Sequence, residues 1–234
     1  MSNHVISVTL HDENYPSDSD YPFSLPIFHE TKRITIDFPV TFFVGENGTG
    51  KSTFLEAIAL ASGIHIWRKR DGARYQVNPY EKLLHKYISL EWANGKVPGS
   101  YFGSEIFNDF RRMVDNWAAS DPGQLQYFGG KSLVTQSHGQ SMMSYFRSRY
   151  KIKGIYFLDE PETALSPRSQ LEFLDILREN AKEGHAQFII ATHSPILMGF
   201  EGAKIYNFDH SPLDAIEYRE TEHYQIYKSL LQAR

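Results

Sequence analysis

The chain has 234 residues, of which 41% are hydrophobic and 22% are charged, a composition typical of a soluble globular protein with a sizeable core. Its formal net charge of −4 argues against a protein that mainly coats nucleic acid, since such proteins are usually basic overall. The absence of cysteine excludes disulfides and thiolate metal sites and suits a reducing, cytoplasmic setting. No apolar run approaches 18 residues, so we expect no membrane span.

The N-terminal part of the chain predicts three short strands. Residues 5–10 are rich in β-forming side chains, and residues 34–38 alternate apolar with polar side chains. Between them, residues 11–26 carry three prolines and predict a loop. Residues 40–44 form an apolar run that predicts a buried strand.

A glycine-rich loop follows this third strand. Residues 45–53 read GENGTGKST and fit G-x-x-x-x-G-K-[ST], the phosphate-binding loop, and the helix-forming residues 54–60 come next. The glycines let backbone N–H groups surround an anion, and the start of the helix adds partial positive charge. We expect Lys51 to contact the β- and γ-phosphates of ATP and Ser52 to bind Mg²⁺. The predicted nucleotide-binding residues of this loop are Gly45, Glu46, Asn47, Gly48, Thr49, Gly50, Lys51, Ser52 and Thr53.

Residues 64–135 give the weakest pattern in the chain. We predict a helix at 80–87, a strand at 87–92 and a second helix at 105–118. The second helix would carry one apolar face, formed by Ile106, Phe110, Met113, Val114 and Trp117. We expect a small helical lobe over about residues 64–150, inserted in a single domain that spans residues 1–234.

The C-terminal part alternates strands with helices. A helix is predicted at 167–182, with Ser166 as its N-cap and with Leu171, Leu174 and Leu177 facing inward. The other predicted elements are strands at 155–158, 187–191, 204–208 and 215–218 and a terminal helix at 222–232. This alternation predicts an α/β fold with a mainly parallel central sheet flanked by helices, beside antiparallel N-terminal strands.

An acidic pair ends the predicted strand at 155–158. Asp159 would hold Mg²⁺ near Ser52, and Glu160 is placed to act as the general base that activates water. An apolar run followed by two acids is a weak signal alone, and it becomes strong when it is paired with a phosphate loop.

A third motif, Ser137-His138-Gly139-Gln140, ends 19 residues before Asp159. It resembles the signature Leu-Ser-Gly-Gly-Gln of the ATP-binding-cassette (ABC) ATPase superfamily, in which Ser137, Gly139 and Gln140 match while Gln136 and His138 depart. The resemblance implies that this segment begins a helix and contacts the γ-phosphate of ATP bound to a second subunit. It therefore implies an ATP-dependent homodimer around two MgATP.

A fourth motif is His193, which follows the predicted strand at 187–191 and lies 34 residues past Asp159. It resembles the switch histidine of ABC ATPases. The resemblance implies that His193 contacts the γ-phosphate and orders the catalytic water. Together with Lys51 and Glu160, it completes the predicted catalytic set.

The segment that follows the acidic pair indicates a subgroup. Transporter-type ABC subunits usually carry Asp where Ser166 stands. The Leu-Ser-Pro ending resembles the stand-alone RecF-like and overcoming-lysogenization-defect ATPases, which implies a role in DNA metabolism or phage defence with DNA or a protein as partner. Two alternatives stay open: the ATP-binding subunit of an ABC transporter, and an ATP-gated binding module with negligible turnover.

Two further family features have only candidates. The glutamine that senses Mg²⁺ in the family has Gln76 and Glu105 as candidate positions here. The aromatic side chain that stacks on adenine has Tyr21, Phe23 and Phe28 as candidates, and packing is an alternative role for each of them.

Overall fold

The computed structural model describes residues 3–67 and 77–233. The predicted Gln76 candidate lies outside these residues. Within them, no helix has both the length and the apolar character that crossing a bilayer requires.

The elements of the first half are strands β1 (Val5–Leu10), β2 (Arg33–Thr35), β3 (Val40–Val44), β4 (Ile88–Trp92) and β5 (Gly99–Gly103), and helices α1 (Pro26–Glu30), α2 (Lys51–Ala61) and α3 (Ser104–Ser120). Those of the second half are α4 (His138–Arg149), β6 (Gly154–Asp159), α5 (Pro167–Asn180), β7 (Ala186–Ala191), α6 (Pro195–Met198), β8 (Lys204–Asn207), β9 (Asp214–Ile216) and α7 (Glu222–Gln232).

Two sheets organise these elements. The larger has six strands in the order β5-β6-β7-β3-β8-β9, parallel except for β9, which is antiparallel to β8. The smaller has three antiparallel strands in the order β2-β1-β4. The predicted α/β class with a mainly parallel central sheet is therefore confirmed.

The central sheet is buried on both faces, because its strands alternate side chains between two apolar layers. Phe43, Phe157 and Ile189 pack in one layer together with α2, whereas Phe42 and Leu158 pack in the other, together with α4 and α5. This double burial explains why these strands read as continuous apolar runs in the sequence.

The side chain of Gln187 on β7 joins the two sheets. Its amide nitrogen donates to the carbonyls of Val5 (2.9 Å) and Ile36 (2.8 Å), and its oxygen accepts the N–H of Val5 (2.8 Å). The bond to Ile36 gives that carbonyl a partner outside a strand ladder. Strand β2 ends at Thr35, three residues before the predicted end at residue 38.

The middle of the chain differs most from its prediction. The predicted helix at 80–87 is only a short 3₁₀ turn at Leu84–Tyr87. Strand β5 was missed, because it begins and ends with glycine and lacks β-branched residues. Gly99 fits this edge strand because a Cβ there would lie 2.0 Å from the carbonyl oxygen of Ile155. Residues 88–103 thus join the two sheets. Helix α3, a 3₁₀ segment at Pro122–Phe128, a loop at 129–137 and helix α4 follow up to Arg149.

Two helix faces also differ from expectation. On α3, the buried side chains are Phe107, Val114 and Ala118, while Trp117 stays 40% exposed. On α5, Leu174 and Leu177 are buried as predicted, and the expectation for Leu171 was wrong, since it is 56% exposed. A helix with a 3.6-residue period turns only one side to the sheet, which explains both results.

Candidate nucleotide-binding site

Three strands of the central sheet end side by side. Phe43 near the end of β3 lies opposite Ala191 of β7, and Ala191 also lies opposite Asp159 of β6. The loops that follow carry the phosphate-loop motif, the acidic pair and His193. Ligands of open α/β sheets bind at such carboxyl ends of parallel strands.

The phosphate loop has the backbone geometry that its glycines predict. Gly48 and Gly50 have φ angles of 82° and 101°, in the left-handed region that side-chain-bearing residues rarely adopt. Helix α2 begins directly afterwards, at Lys51. Its first turn leaves backbone N–H groups without intrahelical partners, next to the positive end of the helix dipole. This arrangement suits an anion such as a phosphate group.

Lys51 is held inside this loop. Its ammonium donates to the carbonyls of Gly45 (2.8 Å) and Glu46 (2.6 Å), and the residue is 5% exposed. Burial lowers its pKa, while the nearby carboxylates of Asp209 and Glu160 oppose that shift. A cation enclosed by backbone carbonyls is placed to meet phosphate oxygens at the same position.

Ser52 and Asp159 meet as the sequence predicts. The Ser52 hydroxyl donates to Asp159 Oδ1 (2.8 Å), and the Tyr101 hydroxyl donates to Asp159 Oδ2 (3.1 Å). Burial raises the pKa of Asp159 to about 6, and these two hydrogen bonds oppose the rise. A hydroxyl and a carboxylate are hard oxygen donors of the kind that Mg²⁺ prefers, so the pair fits this ion. In the described ranges no group of three or more His, Cys, Asp or Glu side chains forms a further metal site.

Glu160 and His193 face each other beside this pair. Glu160 Oε1 lies 3.8 Å from His193 Nε2. Glu160 has a φ of 46° and is, within residues 3–67 and 77–233, the one residue other than glycine with a positive φ. Its N–H donates to Ala191 O (2.9 Å), which holds this conformation, and such strain is frequent at functional sites.

The environment of His193 favours a neutral ring. Burial lowers its pKa, and the charge of Lys51 adds to the effect. Its Nε2 atom is buried and has no hydrogen-bond partner in the described part of the chain. The ring therefore keeps an unsatisfied nitrogen 3.8 Å from Glu160 Oε1.

Two acidic residues that support the site were not predicted from the sequence. Glu162 accepts the backbone N–H of His193 through Oε1 (2.7 Å), and burial raises the pKa of its carboxyl group. Asp209 accepts the N–H of Glu46 through Oδ1 (2.6 Å) and so supports the start of the phosphate loop. Each is an acid soon after a predicted strand, the same pattern that marks Asp159 and Glu160 in the sequence.

The signature-like segment lies apart from these groups. Ser137 is the N-cap of α4: its hydroxyl accepts the N–H of Gln140 (3.3 Å), and the Gln140 side chain accepts the N–H of Ser137 (3.1 Å). Gly139 packs closely, since a Cβ there would lie 2.7 Å from the carbonyl oxygen of Ala164. Within the described residues, none of these three hydrogen-bonds to the phosphate loop, the acidic pair or His193.

The candidates for stacking on adenine and for sensing Mg²⁺ differ in how far they are buried. Phe23 and Phe28 are fully buried, so they are packing residues. Tyr21 is 40% exposed, and its hydroxyl hydrogen-bonds to that of Thr53, beside the phosphate loop. Glu105 lies in the first turn of α3, where its charge contributes to raising the pKa of Asp159.

Two family profiles match the chain. AAA_23, described as an AAA domain, matches residues 25–89, which contain the phosphate loop. AAA_21, an AAA domain ascribed to an AbiEii toxin of a Type IV TA system, matches residues 140–199, which contain the acidic pair and His193.

Curated relatives are importer components. The phosphate import ATP-binding protein PstB 2 of Streptococcus mutans is 25% identical over 181 residues, which are 66% of this chain and 65% of that protein. The hemin import ATP-binding protein HmuV of Bradyrhizobium diazoefficiens is 27% identical over 168 residues, 63% of this chain and 61% of that protein. The matched region thus spans less than two thirds of either relative.

Solved structures share the fold. The chain is similar to cbiO1 of Clostridium perfringens, part of the ABC transporter complex cbiONQ, with a TM-score of 0.51 and 20% identity over 98% of this chain and 96% of that one. It is equally similar to an SmcHead bound to the C-winged helix domain of ScpA, with a TM-score of 0.51 and 12% identity over 93% of this chain and 98% of that one.

Proposed function

We propose that the chain is an ABC-type P-loop ATPase, which its two matched AAA-domain profiles and its importer relatives support, and that it binds MgATP and hydrolyses it between two copies of itself, arranged head to tail. The observation that carries this proposal is the placement of Ser52 against Asp159 (2.8 Å) and of Glu160 against His193 (3.8 Å), beside the enclosed ammonium of Lys51.

Each group has a separate task in this reaction. Lys51 stabilises the negative charge that develops on the β- and γ-phosphates, and Ser52 and Asp159 hold Mg²⁺. A bound Mg²⁺ supplies further charge neutralisation at the phosphate oxygens. Glu160 accepts a proton from the attacking water, and neutral His193 orients that water or the γ-phosphate through Nε2.

The second half of the site comes from the other copy. Ser137 caps this helix, so the segment offers the Ser137 hydroxyl and the N–H of Gly139 to an anion, whereas the N–H groups of Ser137 and Gln140 are already paired in the cap. Ser137 and Gln140 are exposed, and within the described residues neither hydrogen-bonds to the phosphate loop of its own chain. In a head-to-tail pair, they would cap the γ-phosphate of the partner's ATP, and hydrolysis would let the pair separate.

Replacing the base tests this proposal. Glu160→Gln keeps the shape of the side chain but cannot accept the proton, so we expect turnover to fall at least about a hundredfold while ATP binding is retained. We then expect an ATP-dependent dimer in sedimentation or mass photometry. Glu179→Gln is the matched control, since Glu179 is an exposed carboxylate on α5. A Glu160→Gln variant that hydrolyses ATP normally as a monomer would refute the proposal.

Two biological roles have separate support. The match to an AAA domain ascribed to a toxin–antitoxin system and the Ser166 position favour phage defence or DNA metabolism. The importer relatives favour an ATP-binding transporter subunit that works with a separate membrane chain. Turnover that rises with linear duplex DNA supports the first role, whereas co-purification with one co-expressed membrane protein supports the second. Wild-type protein that binds ATP with negligible turnover would instead indicate an ATP-gated binding module.

A further inference from the structure

Arg111 on α3 reaches the backbone that precedes the signature-like segment. Its Nε donates to Leu133 O (3.1 Å), and one terminal nitrogen donates to both Val134 O (3.4 Å) and Gln136 O (3.1 Å). One planar side chain therefore binds three carbonyls within four residues. The last of these carbonyls belongs to the residue directly before Ser137.

Further contacts tie the same loop to two helices. Asp115, one turn along α3, accepts a hydrogen bond from Ser132 Oγ. On the other side, Ser144 of α4 donates to Gln136 Oε1 (2.7 Å), and Gln136 Nε2 donates to Ser132 O (3.3 Å). The position of this loop is therefore set by its contacts with α3 and α4.

The charge of Arg111 is not neutralised by a carboxylate in the part of the chain that the structure describes. Its fourth hydrogen bond goes to Asn108 Oδ1 (3.4 Å), so all its acceptors are neutral oxygens. After burial, this charge is the second cause that lowers the pKa of His138. The start of α4 therefore combines a guanidinium charge with the N–H of Gly139 and the Ser137 hydroxyl, which together favour an anion.

We propose that Arg111 is a positioning residue, which holds Ser137 and Gly139 in place for the γ-phosphate of ATP bound to the partner copy. This inference rests on the proposed head-to-tail pair. Arg111 does not need to touch the nucleotide, because it acts through the loop that it binds. It makes no hydrogen bond to the phosphate loop of its own chain within the described residues, so its effect should be exerted on the other copy's site.

Substitution at this position should separate turnover from binding. Arg111→Met removes the charge and all four hydrogen bonds while keeping the length of the side chain. We expect turnover to fall roughly tenfold, since a small misplacement of a phosphate-binding group is costly. The affinity of the chain for a fluorescent ATP analogue should be unchanged. Arg111→Lys keeps the charge but not the planar fork, so an intermediate rate is expected. Arg112→Met is the matched control, because Arg112 is the exposed neighbour on the same helix.

Mixing two impaired variants shows which copy Arg111 serves. In an excess of Lys51→Ala, whose phosphate loop is inactive, each Arg111→Met chain pairs with an intact signature-like segment. We expect its turnover per chain to recover to that of wild-type chains in the same excess. In the converse mixture, wild-type chains in an excess of the Lys51→Ala/Arg111→Met double variant should stay slow. Should Arg111→Met fail to fold, Arg111→Lys enters the same two mixtures.

Each outcome has one meaning. Arg111→Met that stays slow beside excess Lys51→Ala, while wild-type chains turn over there, would show that Arg111 serves its own chain and would overturn the inference. Wild-type turnover from Arg111→Met alone would overturn it as well. Failure of the proposed function is read separately, from Glu160→Gln: an active, monomeric variant there would refute the head-to-tail pair, whatever the Arg111 variants do.

Discussion

The phosphate-loop region and the signature-like region are built in different ways. The groups of the first follow β3, β6 and β7, three adjacent strands that are buried on both faces. The second region begins α4 and is fixed by side chains that bind backbone carbonyls, above all Arg111. The ends of strands in a buried parallel sheet are fixed by the packed core, whereas a loop held by side chains of two helices, α3 and α4, moves with those helices. The first half of the site is therefore preformed in one chain, and the second half is the adjustable part.

The largest effect is expected from a substitution at the centre of the phosphate-loop region, the preformed half of the site. Lys51→Ala removes the ammonium that the phosphate loop encloses. Because charge-assisted contacts to phosphate are strong, we expect ATP affinity to fall by about a hundredfold or more. Titration with a fluorescent ATP analogue measures this, and Lys182→Ala, at an exposed lysine, is the control. Normal binding by Lys51→Ala would mean that the loop is not the nucleotide site.

A smaller effect is expected in the adjustable half. In Gly139→Ala the new Cβ would lie 2.7 Å from Ala164 O, so the start of α4 must shift. We expect turnover to fall ten- to a hundredfold with unchanged ATP affinity, because only the contact to the partner's phosphate is displaced. Gly123→Ala, at a turn outside α4, controls for the added methyl group. Loss of ATP binding in Gly139→Ala would instead place the segment in its own chain's site.

The smallest effect concerns stability and pH in the preformed half. Because burial raises the pKa of Asp159 from 3.8 to about 6, the folded chain binds this proton more tightly than the unfolded chain. The stability that this group contributes is present below pH 4 and is lost as the pH rises through 6. Without nucleotide, Asp159→Asn should therefore match the wild type near pH 4 and exceed it by about 2–3 kcal/mol at pH 7. Urea unfolding at both pH values checks this, and a pH-independent difference would contradict it.

The functional residues of the phosphate-loop half can be predicted from the sequence because they follow buried strands. The runs before Gly45, Asp159 and His193 are apolar enough to predict strands, and the parallel sheet then brings their ends together. Strand β5 lacks this signal, since its pairing depends on β6 rather than on its own residues. Without β5, the hydrogen bond from Tyr101 to Asp159 could not be foreseen.

The contacts that position functional groups were the least predictable. Glu162, Asp209 and Arg111 act on backbone groups 31, 163 and 22–25 residues away along the chain. No local periodicity encodes such distances, because they arise only when helices and sheet pack together. The motif residues themselves could be found from the sequence, whereas the residues that hold them could not.

Turnover measured against protein concentration tests the central claim most directly, with the mass of the active species followed at each concentration. If the site is completed by a second copy, specific activity at saturating MgATP should rise with concentration while monomers pair, and should level off once dimers predominate. A species that remains monomeric and hydrolyses ATP at the full rate at every concentration would contradict the claim.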